Sequence, residues 1–215
     1  DYALGRIFGC LRENDLFKKT WIIFTADHGE MLGDHHMSQK NLFFEGSAHV
    51  PLLIMPPQGR SLPQNISVEA PTDLVDLYPT ILAMAGLSSP VSVSGRNLLE
   101  PVPMDRIFFG NSLNRNFCVM EEKLKLVYSA VGDHVLLFDL NTDPMEQHNL
   151  AEDPAWQERK AKLWKLLLEH TAQYTPEALD ENGQFLTYEA PHFPGDVPGR
   201  WFGFHYHDYS VDTFH

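Results

Sequence analysis

The first apolar positions of the chain, Leu4, Ile7, Phe8 and Leu11, fall at helical spacing in DYALGRIFGCLREND and predict a helix. No capping group introduces it, so the chain reads as one piece of a larger protein. After the polar break at Asn14-Asp15, the run WIIF (21–24) is short, apolar and without polar alternation, the pattern of a strand buried on both faces. A second such run, VPLLIM (50–55), is closed by Pro56-Pro57-Gln58-Gly59. Helix followed by buried strand predicts a parallel α/β layer. Residues 74, 77, 78, 81, 82 and 85 form a helical stripe. Pro79 fits that helix if Asp76 caps it, because Pro79 then lies in the first turn, and Gly86 ends it. From Arg106 the texture changes. RIFFGN, KLKLVYS and HVLLFDL, separated by turn residues, predict a small antiparallel sheet. Asp153-Pro154 starts another helix, whose apolar face carries Trp156, Leu163, Leu166, Leu167 and His170. The expected domains are 1–104, an α/β part; 105–174, an antiparallel sheet with a packed helix; and 175–215, an aromatic and His-rich arm.

Composition narrows the partners. The net charge of −13 argues against a nucleic-acid binder. No apolar stretch approaches the roughly 20 residues that span a bilayer. The N-terminus lacks the basic region and cleavage site of a signal peptide, and since any such peptide of a larger protein would lie upstream, the compartment stays open between cytoplasm and periplasm or exterior. Cys10 and Cys118 sit in apolar surroundings and read as buried free thiols, neither in a metal-type CxxC.

The chemistry lies in FTADHGEMLGDHHMSQK (24–40). Asp27 and His28 stand together where the first strand ends, and Gly29 permits a tight turn. Ligands of a parallel α/β sheet bind beyond the carboxyl ends of its strands. An Asp oxygen and a neutral imidazole nitrogen form a mixed ligand pair compatible with Ca²⁺, Mn²⁺ or Zn²⁺. Lys40 supplies a compact positive charge to hold an anionic oxygen of a sulfate or phosphate group. His35 and His36, in the intervening loop, are candidates to donate a proton or a hydrogen bond.

The segment FTADHGEMLGDHHMSQKNLFFEGSAHVPLLIMPP resembles the metal-and-lysine segment of the type I sulfatases, in the alkaline phosphatase superfamily. DLVDLYPTILAMAG, GRNLLEP (with Asn97 at a usual Ser position) and LFDLNTDPMEQHNLAEDP resemble further segments of that family, in the same order. His28, where many sulfatases carry Asn, is similar to the phosphonate monoester hydrolases and their arylsulfatase relatives. The resemblance implies the C-terminal half of an alkaline phosphatase-like α/β/α sandwich followed by a small antiparallel sheet. It implies Asp27 and His28 as metal ligands, Lys40 as the binder of sulfate or phosphate oxygens, and His35 as a residue near the site. The metal is expected to be Ca²⁺ or Mn²⁺, with Mg²⁺ and Zn²⁺ as alternatives. Asp76, Asp139 and Glu146 become structural caps and turn acids.

The family's nucleophile is a formylglycine, made from the Cys or Ser of C/S-x-P/A-x-R, and a paired-Asp segment completes its metal site. Cys10 is followed by LREN and Cys118 by VMEE, so neither fits. The expectation is therefore part of a metal-dependent sulfuric-ester hydrolase whose nucleophile lies outside this chain, inactive by itself, with a sulfate or phosphonate ester as substrate. A phosphonate or phosphate ester hydrolase, and a non-catalytic module binding an anion or a partner, are the alternatives. In the arm, His205 and His207 alternate with aromatics. A subunit contact, and through it a homo-oligomer, is expected there in preference to metal binding.

Overall fold

The stripe of residues 4–11 forms helix α1 (Tyr2–Glu13) in the computed structural model of the chain, which describes residues 1–37, 39–40, 42–60, 66–90 and 92–189. The chain divides into two units. One holds residues 1–27 and 50–104, the other residues 28–49 and the chain from 105 onward.

In the first unit α1 leads through a 3₁₀ turn (Phe17–Lys19) into strand β1 (Ile22–Thr25). Phe8 packs edge-on against Phe17, at 5.9 Å between centroids. No residue of α1 is fully buried, and Cys10 on it is exposed, which corrects the expectation of two buried thiols. Strand β1 pairs with β2 (Leu52–Met55), and the pairing is antiparallel, with Ile22 opposite Met55 and Thr25 opposite Leu52. The expected parallel layer is thus corrected for this pair. The register supplies the reason: the chain leaves β1 at Thr25 and re-enters β2 opposite the same residue, so residues 26–51 make an excursion from one end of the ribbon. The expectation of burial on both faces is also corrected. Side chains alternate between faces, and the face carrying Phe24 and Leu53 is open, at 40% and 59% exposure.

The stripe at 74–85 forms a 3₁₀ turn (Leu74–Asp76) running into helix α3 (Leu77–Met84). Asp76 is fully buried, and it does not cap with its side chain as expected: Asp73 is the cap, and Asp76 is the third-position acid of its capping box. Its Oδ2 accepts the Asp73 N–H at 2.8 Å, and its Oδ1 accepts the Arg96 N–H at 2.7 Å. Thr80 Oγ1 donates to the Asp76 carbonyl and accepts the Leu98 N–H at 2.9 Å. Two side chains thereby hold the GRNLLEP segment on the helix start. Gly95 is required there, since a Cβ would lie 2.1 Å from the Val75 carbonyl oxygen. Pro79 sits in the first turn as expected, and Gly86, at φ +74°, stops the helix.

The second unit is built on a four-stranded antiparallel sheet in the order β3 (Phe108–Ser112), β4 (Asn116–Glu121), β5 (Leu124–Ser129), β6 (His134–Asp139). Strand β4 is not among the strands that the sequence pattern predicts. It is joined to its neighbours by tight turns at Leu113-Asn114 and Glu122-Lys123, all four residues at positive φ. Alternation sends Phe117, Val119, Leu124, Leu126, Tyr128 and Leu137 to one face, where Leu163 and Leu167 of helix α4 (Gln157–Tyr174) cover them. Asp153 caps the turn that starts this helix, accepting the Ala155 N–H at 2.9 Å, with Pro154 at its first position. Cys118, Val127, Leu136 and Phe138 face the other way and are covered by Met31, Met37, Leu42 and Phe44 of the excursion. Burial on both faces explains why these strands read as continuous apolar runs.

Residues 175–189 close over the α4 side of the sheet. Phe185 packs among Phe117, Tyr128 and Trp164, and Tyr188 bridges Val131. The arm from residue 190, with His205, His207 and the expected subunit contact, lies outside the described residues. Among the described residues no helix is long and apolar enough to cross a membrane.

Two stability measurements follow from this packing. Asp76→Ala removes the acceptor of two backbone N–H groups, and urea unfolding is expected to show a loss of about 2 kcal/mol or more. Burial holds the His134 and His170 imidazoles below their ordinary range, with Asp133 partly offsetting this at His134. The unfolded chain takes up these protons near pH 6.5, whereas the folded chain does so only at lower pH. The stability contributed by the neutral rings is complete above about pH 6.5 and is lost as pH falls below it. His170 stacks flat on Phe109 at 3.9 Å. His170→Phe keeps a ring there without a titrating group, so its melting temperature should fall less on acidification than that of the parent chain.

Candidate functional site

The excursion from residue 28 to 49 is organised by backbone contacts to a short helix, α2 (Glu45–Ala48). The Gly29 N–H donates to the Ser47 carbonyl at 2.7 Å. A Cβ on Gly29 would lie 2.1 Å from the Gly46 carbonyl oxygen. Glycine is needed for this close approach, and not, as the sequence suggested, for a turn of unusual φ. The Met31 N–H donates to the Gln39 carbonyl at 2.9 Å, and the Glu30 carboxylate accepts the Gln39 N–H, closing the loop 30–39 on itself. The buried Ser47 hydroxyl donates to the Lys40 carbonyl at 2.6 Å. One residue of α2 therefore grips both ends of the loop, next to His28 and at Lys40.

The result is a direct contact: Lys40 Nζ lies 2.7 Å from His28 Nε2. His28 Nδ1 lies 2.7 Å from the Gly29 carbonyl oxygen. A carbonyl only accepts, so Nδ1 carries the proton and Nε2 presents its lone pair to the Lys40 ammonium. This is the tautomer a metal-ligating histidine adopts, with one ring N–H held by a carbonyl and the other nitrogen turned to a cation. The donor chemistry of His28 thus fits a divalent metal. Asp27 is exposed and closes the first unit's segment 1–27. Among the described residues no group of three His, Cys, Asp or Glu side chains is placed to hold a metal.

His35 takes a left-handed backbone conformation, φ 52°, and its ring lies flat on Phe44 at 4.1 Å. The stacking fixes the ring plane. His36 is exposed.

The sequence did not single out the group beneath α2. Lys125 on β5 and Glu146 are 2% and 3% exposed. Lys125 Nζ donates to Glu146 Oε1 at 2.8 Å, to the Phe43 carbonyl at 2.8 Å and to Glu45 Oε1 at 2.5 Å. Glu146 Oε2 accepts the Glu45 N–H at 2.7 Å. Burial pulls the Lys125 ammonium down, but Glu146, then Cys118 and Glu45, outweigh it and hold it above the ordinary lysine range. It is charged at neutral pH. Burial pushes the neighbouring Cys118 thiol up to about 12, so this cysteine is protonated and unreactive. Glu146 is therefore a buried anchor of the site loop, beyond the turn acid expected of it. Asp139 is a turn acid, accepting from Asn141 and Thr142.

The sulfatase family model matches residues 1–87. Among curated proteins, arylsulfatase K of Gallus gallus is 36% identical over 171 residues, and arylsulfatase K of Bos taurus 35% over 170. Each alignment covers 70% of this chain and 31% of the relative. The crystal structure of a phosphonate monoester hydrolase from Agrobacterium radiobacter is similar at a TM-score of 0.66 and 31% identity, over 84% of this chain and 41% of that one. The chain spans about a third of the length of the curated relatives it matches. Its mixed helices and antiparallel sheets correspond to a portion of an alkaline phosphatase-like fold, and the chain belongs to the sulfatase family.

Proposed function

We propose that this chain is the C-terminal portion of a metal-dependent sulfuric-ester hydrolase, contributing Asp27, His28, His35 and Lys40 to its active site. The observation that carries the reading is the 2.7 Å contact between Lys40 Nζ and His28 Nε2. It joins an anion-binding ammonium to a nitrogen lone pair already aimed at a cation, in a family of sulfatases. With the Lys40 ammonium turned from His28 to the anion, His28 Nε2 and the Asp27 carboxylate would hold the divalent metal, Ca²⁺ or Mn²⁺ in preference to Mg²⁺ or Zn²⁺. When bound, the metal supplies Lewis-acid stabilisation of charge on the transferring group. Lys40 binds a non-bridging oxygen of the sulfuryl group and stabilises the charge that grows there as the ester bond breaks. His35, its ring plane fixed on Phe44, is assigned proton donation to the leaving oxygen. The nucleophile, a formylglycine, and the remaining metal ligands belong to sequence beyond these 215 residues. The open apolar face of the β1–β2 ribbon, with Phe24 and Leu53, is in keeping with a longer protein.

A phosphonate monoester as substrate is the second reading. It is favoured by the 31% identity to a phosphonate monoester hydrolase. The same lysine and metal ligands serve both groups, because both present anionic oxygens around a tetrahedral centre.

The test uses the longer protein containing this chain, assayed with an aryl sulfate and an aryl phosphonate monoester. Turnover of the sulfate in preference is expected, abolished by a chelator and restored by Ca²⁺ or Mn²⁺. Lys40→Ala should lower kcat/KM by about 10²-fold or more, the cost of losing one preorganised charge-stabilising group. Asp27→Asn and His28→Gln should weaken metal retention on dialysis. The 215-residue chain by itself should show no turnover. Full metal retention in both ligand variants, or sulfate turnover by the short chain, contradicts the assignment.

A further inference from the structure

The contact between His28 and Lys40 is not self-supporting. Both residues hang from α2, through the Ser47 carbonyl on the Gly29 N–H and the Ser47 hydroxyl on the Lys40 carbonyl. Helix α2 is a single turn of four residues, Glu45–Ala48. A helix that short has no stability of its own, since nucleation alone costs more than its hydrogen bonds return. Something else must hold it. Its first N–H is taken by Glu146, its first side chain by Lys125, and the carbonyl of Phe43 just before it by Lys125 again. Phe43 lies against β3, where a Cβ on Gly110 would meet its ring at 2.4 Å. His49, following the last turn, pairs with the outer oxygen of Glu45 at 2.8 Å.

We propose that the cluster of buried Lys125 and Glu146 with the half-buried Glu45 is a positioning device for the His28–Lys40 pair, acting through Ser47 of α2. The inference rests on the function proposed above for that pair. Lys125 and Glu146 touch no reacting atom in this scheme. They fix where α2 sits, and α2 fixes the distance between the imidazole that would hold the metal and the ammonium that would bind the anion. The cluster also makes the antiparallel sheet a working part of the site. The segment LFDLNTDPMEQHNL then acts physically by delivering the Glu146 carboxylate to the start of α2.

A purely structural role predicts a different pattern, so the test separates the two. Hydrogen exchange on the 215-residue chain reads the Gly29 and Glu45 amides against those of β4 and β5. In Glu146→Ala, the Gly29 and Glu45 amides should exchange about tenfold faster or more while the β4 and β5 amides keep their protection. Protection unchanged at Gly29 overturns the proposal. If Glu146→Ala opens the whole sheet, Glu45→Ala decides instead, because it removes the side-chain link from α2 to Lys125 while leaving Glu146 in place: faster exchange at Gly29 with β4 and β5 still protected supports the proposal, and unchanged exchange at Gly29 overturns it.

In the longer enzyme, Ser47→Ala and Glu146→Ala should each lower kcat/KM about tenfold or more, the scale expected when a reacting pair is misplaced by a fraction of an ångström. Glu146→Gln, which keeps an oxygen for the Glu45 N–H but loses the charge, should melt lower yet recover most of the activity. Leu163→Ala, in the core on the opposite face of the sheet, should lower the melting temperature with kcat/KM unchanged. Activity that simply follows melting temperature across these variants sinks the positioning role. Should the unsubstituted enzyme lack sulfatase turnover, the proposed function fails, and the exchange experiment still decides the positioning role.

Discussion

Lys125 is a charged side chain inside the sheet's covered face, and its burial sets the terms for everything around it. Taking an ammonium out of water costs several kcal/mol, and only close opposite charge and filled hydrogen-bond positions offset that. Its three N–H groups are filled by Glu146, Glu45 and the Phe43 carbonyl. Removing one partner would leave an uncompensated buried charge, at a cost of roughly 3–5 kcal/mol. The group is therefore all or nothing, and an all-or-nothing contact is good at holding one geometry. Here it fastens residues 43–45 of the excursion to β5 and to the Glu146 turn.

That fastening matters because the excursion has little regular structure. It contains one turn of helix, a 3₁₀ turn with His35 and His36 at positive φ, and loop. Its apolar anchors, Met31, Met37, Leu42 and Phe44, are buried against Val127, Leu136 and Phe138. Such packing is strong but non-directional, and it tolerates small shifts. The hydrogen bonds of Ser47 and Glu146 are directional and set the fine position. Hydrophobic burial brings the loop to the sheet, and the polar contacts decide where His28 and Lys40 point.

The two faces of the sheet divide the labour. Helix α4 and residues 175–189 bury one face with large aromatic and aliphatic side chains, including Phe117, Tyr128, Trp164 and Phe185. That side gives the unit its stability. The other face carries the excursion, a buried ion pair and a protonated cysteine, and on its outer side the candidate site. Catalytic and binding residues are commonly placed on loops held by a rigid scaffold, and the loop that carries the candidate residues His28, His35 and Lys40 is held by the four-stranded sheet.

Much of this was legible in the sequence. The stripe at 74–85, Pro79 in a first turn, Gly86 at the stop, Asp153-Pro154 at the start of α4 and three of the four sheet strands all follow from local rules of capping, period and backbone preference. The nearness of His28 and Lys40 was also visible, because the two residues are close along the chain and flank one loop. What local rules could not reach depends on partners far apart in sequence. The antiparallel sense of β1 and β2, the open face of Phe24, the exposure of Cys10 and the strand at 116–121 depend on which surfaces other segments cover. The pairing of Lys125 with Glu45 and Glu146 joins residues 80 and 21 positions apart. A lone lysine in KLKLVYS and a glutamate after DPM carry no local sign of each other. Only the fold, by burying both in one place, made each the other's necessary partner.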